Sequence, residues 1–179
     1  MKRPGMFLDR DGVLNRAVVR AGIPHPPGSI DELEILPGVP AALRALREAG
    51  YTLVVVTNQP DVARGTTSRQ AVDEIHARLA DTLALDAILT CFHDDADDCD
   101  CRKPKPGLLL RAARELGLDL AASFMVGDRW RDVEAGRRAG CQTLYIDRGY
   151  AEQSPARSDF RVESLDAAAS LVLGLRKPV

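Results

Sequence analysis

The chain has 179 residues, a length that fits one domain, residues 1–179, around one large core. Its 24 lysine and arginine residues against 26 aspartate and glutamate residues leave a formal charge of -2, without the basic excess that binding nucleic-acid phosphates requires, which argues against a DNA or RNA binder. With 45% hydrophobic residues the chain is too apolar for disorder, and it has neither a signal peptide nor an apolar run of the ~18–20 residues a membrane span needs, so a cytoplasmic protein without membrane partners is expected.

Short apolar runs alternate with helical periodicity, the pattern of βαβ units feeding a parallel sheet. Met6-Phe7-Leu8 reads as a buried strand that stops at Asp9. The polar, proline-rich stretch from Arg10 to Pro37 is too long for a plain loop and is expected to carry a small flap or hairpin, with His25 in it. Val39, Leu43 and Leu46 recur at helical spacing, with Gly50 placed as the C-terminal cap. Tyr51 to Val56 is a strand, and after a loop from Asn58 to Thr67 Ser68 opens a helix with the stripe Val72, Ile75, Leu79 and Leu83. His76, beside that stripe, reads as a solvated surface residue. Ala87 to Leu89 is the next strand, Leu109, Ala113 and Leu116 mark a helix capped by Gly117, and Phe124 to Val126 is a strand ending at Gly127-Asp128. A helix from Trp130 to Ala139, a strand from Thr143 to Ile146 and a helix from Ser164 follow. The predicted class is α/β, a Rossmann-like, doubly wound, mostly parallel sheet with helices on both faces.

Ligands in such sheets bind at the carboxyl ends of the strands, and four strand ends carry chemistry. After the first, Asp9 and Asp11 leave on the same side, and like charges that close need a cation or a shared proton. After the second, Thr57, Asn58 and Gln59 offer a hydroxyl and two amides suited to phosphate oxygens. The third is Arg102-Lys103-Pro104-Lys105, notable because the chain has only four lysines, and a compact ammonium beside carboxylates suits an anionic transition state. At the fourth, Asp128 is either a helix N-cap or a ligand of an all-oxygen magnesium site supported by Asp132, one helical turn on. Each motif alone also reads as an ordinary polar turn, strand end or solvated loop; the four together, in this order, are far more specific.

Cys91, His93, Cys99 and Cys101 offer three thiolates and an imidazole, the ligand set of a closed structural zinc site, with buried free thiols as the alternative. Such a site pins the segment that delivers Arg102 and Lys103. The acidic loop Asp94 to Asp98 is expected to solvate it, Cys141 to pack in the core, and Trp130 to pack or to lie over the edge of the site.

From Met6 to Ile146 the four motifs resemble the haloacid dehalogenase superfamily of phosphatases. The resemblance implies that Asp9 is the nucleophile that accepts the phosphoryl group and Asp11 the acid and base. It further implies that Thr57 binds phosphate, that Lys103 stabilises it, and that Mg2+ is held by Asp9, the Asp11 carbonyl and Asp128; Asp132 matches a second acidic position of variable role. The Cys-x-His and Cys-x-Cys pairs followed at once by Arg-Lys-Pro, the opening Leu-Asp-Arg-Asp-Gly-Val-Leu-Asn and Thr-Asn-Gln…Ala-Arg-Gly are similar to one branch, without a large cap domain. That branch contains heptose-bisphosphate and histidinol-phosphate phosphatases. It implies Arg102 and Arg129 in substrate recognition beside Asn58 and Gln59, and a small phosphorylated sugar as substrate. A monomeric heptose 1,7-bisphosphate 7-phosphatase of nucleotide-heptose and lipopolysaccharide-core assembly is the leading expectation, ahead of a histidinol-phosphate phosphatase or a catalytically silent binding protein. Pro60-Asp61 and the segment Arg16 to Arg20 depart from the heptose pattern, which leaves the sugar and its anomer open.

Overall fold

A computed structural model describes residues 2–175. Six strands form one sheet in the order β5 (Ala87–Cys91), β4 (Thr52–Asn58), β1 (Arg3–Leu8), β6 (Leu118–Gly127), β7 (Gln142–Ile146) and β8 (Phe160–Val162). Every neighbouring pair in it is parallel. The helices are α1 (Val39–Glu48), α2 (Arg69–Leu83), α3 (Gly107–Leu116), α4 (Trp130–Ala139) and α5 (Leu165–Leu175). The α/β fold class and its parallel sheet agree with the sequence pattern.

Two apolar layers sandwich the sheet, and strand alternation decides which side chain enters which layer. Met6 and Leu8 of β1 join Leu43 and Leu46 of α1, Ile75 and Leu79 of α2 and Val172 of α5 in one cluster. Phe7, between them, faces Leu108 and Leu109 of α3 and Ala135 of α4 in the other. Helix termini follow the sequence: Ser68 Oγ accepts from the Ala71 amide at 3.0 Å, and Gly117 closes α3 with φ at +65°.

Register sets up the site. Leu8 of β1 pairs with Val55 of β4 and with Val126 of β6, so the chain leaves three central strands side by side near Asp9, Thr57 and Asp128. The Arg10–Pro37 stretch carries the expected flap, an antiparallel hairpin of β2 (Val18–Arg20) and β3 (Ile23–His25) with Val18 opposite His25.

Two strands differ from the sequence reading. β6 begins at Leu118, six residues before Phe124, because the pairing with β1 is interrupted and its register shifts between Pro4 and Met6. Ser123 Oγ fills the gap by accepting from the Gly5 amide at 2.8 Å. β8 is an edge strand of three residues without an apolar run, held partly through Asp159 Oδ2, which accepts from the Thr143 amide and hydroxyl, both at 2.8 Å.

Candidate active site

Lys103 is the centre of the arrangement. Its side chain is 2% exposed, and Nζ donates to Asp9 Oδ1 and to the Val56 carbonyl, each at 2.8 Å, and lies 2.6 Å from Asp132 Oδ1. Burial disfavours the ammonium, yet Asp132 and Asp9 outweigh it and hold Lys103 charged above the ordinary lysine range. Burial pushes the Asp9 carboxyl up to about 6; the charges of Asp132 and Asp11 add to the rise, and Lys103 opposes it. Asp128 is pushed well above the usual carboxylate range by burial and then by Asp9 and Asp132.

One ammonium therefore faces three buried carboxylates, Asp9, Asp128 and Asp132, whose oxygens lie within 4.8 Å of one another. Asp128 Oδ2 accepts from Tyr150 Oη at 2.7 Å, while Asp128 Oδ1 is buried without a hydrogen-bond partner. An unpartnered buried carboxylate oxygen in a surplus of negative charge fits a hard divalent cation, and an all-oxygen donor set suits magnesium.

Glycines let the backbone come this close. Gly12 has φ at +83°, and a Cβ there would fall inside the Asp128 carboxylate; one on Gly127 would fall inside the Asp132 side chain. Asp132 also closes the first turn of α4, its Oδ2 accepting from the Arg129 amide at 3.0 Å.

Asp11 stands apart from that acidic group. Its Oδ1 accepts from Asn15 Nδ2 and its Oδ2 from Gln59 Nε2, both at 2.9 Å. Gln59 Nε2 also donates to Thr57 Oγ1 at 2.9 Å, so the Thr57 hydroxyl keeps its own proton for another acceptor. Thr57 and Gln59 are buried. Asn58 clasps the lysine segment reciprocally: its Nδ2 donates to the Lys103 carbonyl at 3.0 Å, and its Oδ1 accepts from the Lys103 amide at 3.1 Å. Neither Thr57 nor Gln59 lines the cavity above Asp9, whereas Asn58 does.

That cavity is walled by Asp9, Asp11, Lys103 and Asp132, by Pro24, His25 and Pro26 of the flap, and by the guanidinium groups of Arg64, Arg102, Arg129 and Arg131. Arg129 is paired with Glu152, Nε to Oε1 at 2.8 Å, and stays firmly charged. Trp130 does not lie over this cavity. It lines a separate groove with Arg137 and Pro155, and the Arg131 guanidinium packs 5.0 Å from its ring centre.

The cysteine cluster converges as its spacing predicts. Cys101 Sγ lies 3.1 Å from Cys91 Sγ and 3.4 Å from Cys99 Sγ, and His93 Nδ1 lies 3.3 Å from Cys101 Sγ and 3.6 Å from Cys91 Sγ. These separations approach the edges of a tetrahedron with metal–sulfur bonds of about 2.3 Å. Three thiols and one imidazole nitrogen in that shape, with no disulfide among them, fit zinc.

The acidic loop after His93 is ordered rather than merely solvated. Asp95–Asp97 form a 3-10 turn, in which Asp94 Oδ1 accepts from Arg64 Nη2 at 2.6 Å, and Asp95 Oδ1 from Arg102 Nε at 2.8 Å and Arg131 Nη1 at 3.0 Å. The cluster and its loop thereby hold three of the cavity arginines.

Sequence reasoning missed four contributors. His76 is half-buried, with Nε2 3.1 Å from Arg10 Nη1, and so is not the solvated residue expected. Arg10, between the two aspartates, is fully buried; its parity with Met6 and Leu8, which sends it to the α2 face, was the available signal. Tyr150 and Arg148 follow β7, and Arg148 Nη2 donates to the Gly12 carbonyl at 2.8 Å. Nothing in their local sequence marks them.

The comparisons agree with this geometry. A protein 38% identical, named D-glycero-beta-D-manno-heptose-1,7-bisphosphate 7-phosphatase in Pasteurella multocida, aligns over 97% of this chain and 99% of its own length. The Escherichia coli K12 protein of that name is 36% identical over 97% and 94%. Among solved structures, the D,D-heptose 1,7-bisphosphate phosphatase from B. bronchiseptica, complexed with magnesium and phosphate, superposes with a TM-score of 0.84 at 34% identity, covering 96% of this chain and 99% of that one. The model of the haloacid dehalogenase-like hydrolases matches residues 7–140, three quarters of the chain, which therefore belongs to that family.

Proposed function

We propose that the chain is a magnesium-dependent phosphatase that removes the C7 phosphate of D-glycero-D-manno-heptose 1,7-bisphosphate, with Asp9 as nucleophile. The observation that carries the reading is the buried Lys103 clamped between Asp9 and Asp132 at the wall of an arginine-lined cavity. Relatives of 36–38% identity over nearly the whole chain, named for this reaction, support the choice of sugar.

Lys103 holds Asp9 Oδ1, which leaves Oδ2 as the attacking oxygen. As the Asp9 oxygen bonds to phosphorus, the bond from phosphorus to the C7 oxygen breaks, and Asp11 gives its proton to that departing oxygen. Asp11, now ionised, takes a proton from water; the water oxygen attacks phosphorus, the bond from phosphorus to the Asp9 oxygen breaks, and inorganic phosphate leaves with the Asp9 carboxylate regenerated. Asp9, Asp128 and the Asp11 carbonyl would hold Mg2+, which when bound offsets phosphoryl charge and orients the group. Thr57 keeps a hydroxyl proton for a phosphoryl oxygen, although it lies behind the cavity lining, and Asn58 and Gln59 act by fixing Lys103 and Asp11.

Arg102 and Arg129 bind the rest of the substrate. The four guanidinium groups of the cavity offer donors to a second phosphate, but each is already paired with a carboxylate, so the choice of the bisphosphate over histidinol phosphate rests on the named relatives. Zinc at Cys91, His93, Cys99 and Cys101 is structural, since four protein ligands leave no open position. The deciding experiment compares phosphate release from the heptose bisphosphate, as both anomers, with release from histidinol phosphate. Higher kcat/KM for the bisphosphate is expected; preference for histidinol phosphate overturns the assignment.

A further inference from the structure

Arg10 has 0% exposure, and a buried guanidinium needs acceptors for its donors. Among the described residues its polar partners are two side chains. Nε donates to both Asp11 oxygens, at 3.1 Å to Oδ1 and 3.2 Å to Oδ2, Nη1 lies 3.1 Å from His76 Nε2, and Nη2 lies 3.0 Å from Asp11 Oδ1 as an ion-pair contact without a hydrogen bond of its own. A guanidinium only donates, so His76 Nε2 is the acceptor and the ring proton sits on Nδ1. Burial, then the Arg10 charge, pushes His76 down to about 4, which agrees with a neutral ring.

The geometry points to a function for this pair that the reaction scheme above does not assign: Arg10 and His76 are positioning residues that set the plane of the Asp11 carboxylate. The inference rests on the reading of Asp11 as acid and base. His76, carried on α2, fixes one edge of the guanidinium, and the opposite edge meets both Asp11 oxygens. Asn15 and Gln59 each hold a single Asp11 oxygen. Arg10 spans the two and resists rotation of the carboxylate about its own axis. Proton delivery to a departing oxygen depends on that rotation, because a donor displaced by about 1 Å loses much of its effect. A positioning role also accounts for a buried charged residue two positions past β1, on the side of the sheet that Met6 and Leu8 share.

The test separates proton delivery from folding by leaving group. A sugar alkoxide needs a proton to depart, whereas p-nitrophenolate does not. Single-turnover release of the leaving group is measured for heptose bisphosphate and p-nitrophenyl phosphate with the magnesium- and zinc-loaded enzyme. His76→Leu, which removes the acceptor, is expected to slow the sugar phosphate about tenfold or more while p-nitrophenol release stays within about twofold. His76→Gln, whose amide oxygen accepts from Arg10, is expected to recover most of the sugar-phosphate rate. His76→Ala, which admits water beside Arg10, replaces the leucine variant if the latter shows no cooperative unfolding. Equal slowing of both substrates, or slowing of neither, overturns the inference. Asp11→Asn is the control: selective slowing there without it in the His76 variants sinks the pair alone, and no selectivity in Asp11→Asn sinks the acid–base reading itself.

Discussion

Replacing Asp9 with asparagine is expected to abolish turnover and at the same time to stabilise the magnesium-free protein. The Asp9 carboxyl is pushed from 3.8 up to about 6, chiefly by burial and then by Asp132. That gap corresponds to about 3 kcal/mol for ionising the group in the folded state. The folded protein holds the Asp9 proton more tightly than the unfolded chain does. The cost is therefore absent below pH 3.8, grows as pH rises to about 6, and is fully present above it. An asparagine amide imitates the neutral acid, and Lys103 keeps its bonds to Asp132 at 2.6 Å and the Val56 carbonyl at 2.8 Å. Asp9→Asn should thus gain up to about 3 kcal/mol at neutral pH, or roughly 6–12 °C in Tm, and almost nothing near pH 4. Urea unfolding of both proteins at the two pH values, in magnesium-free buffer with zinc retained, reads the difference, and phosphate release with magnesium reads activity. Equal stability changes at both pH values, or a loss at neutral pH, would refute the electrostatic reasoning; residual turnover at the parent rate would refute the nucleophile.

Lys103→Met leaves Asp9 and Asp132 without their shared cation and is expected to cost about 3–5 kcal/mol at neutral pH, with the loss shrinking on acidification; a pH-independent loss in urea unfolding would contradict this. Cys99→Ser is expected to reduce zinc from about one per chain to near none and to lower kcat, because Arg102 and Lys103 directly follow the cluster. Metal analysis checks it, and full activity without zinc counts against the structural reading. Tyr150→Phe removes the hydrogen bond that orients Asp128 and is expected to raise the magnesium concentration for half-maximal thermal stabilisation about tenfold. An unchanged titration would show that the phenol does not tune the site.

What the sequence made legible was local. Asp9, Thr57 and Asp128 each follow an apolar run, so period and punctuation located them; Lys103 stood out because lysine is scarce in the chain, and the cysteine spacing located its cluster. The flap was visible as a stretch too long for a loop. Contacts between distant segments were not legible: Arg10 and His76 are 66 positions apart, and Tyr150 reaches Asp128 across 22. His76 was misread because it sits one residue from the apolar stripe, where helical geometry allows either burial or exposure, and only the guanidinium arriving from the turn after β1 decides. β8 escaped because three residues do not make a periodicity.

The position of β1 in the sheet has a consequence for biogenesis. Of the six strands of this sheet β1 is made first, and its partner β6 begins at Leu118. A nascent chain that stops short of Leu118 can pair β1 with β4 but leaves its other side as an open edge bearing Met6, Phe7 and Leu8. A ribosome adding about 5–20 residues per second leaves that edge uncovered for several seconds. The stretch of chain that leads into Asp9 is thus the one most in need of protection during synthesis, and truncations before β6 should aggregate rather than fold as smaller domains.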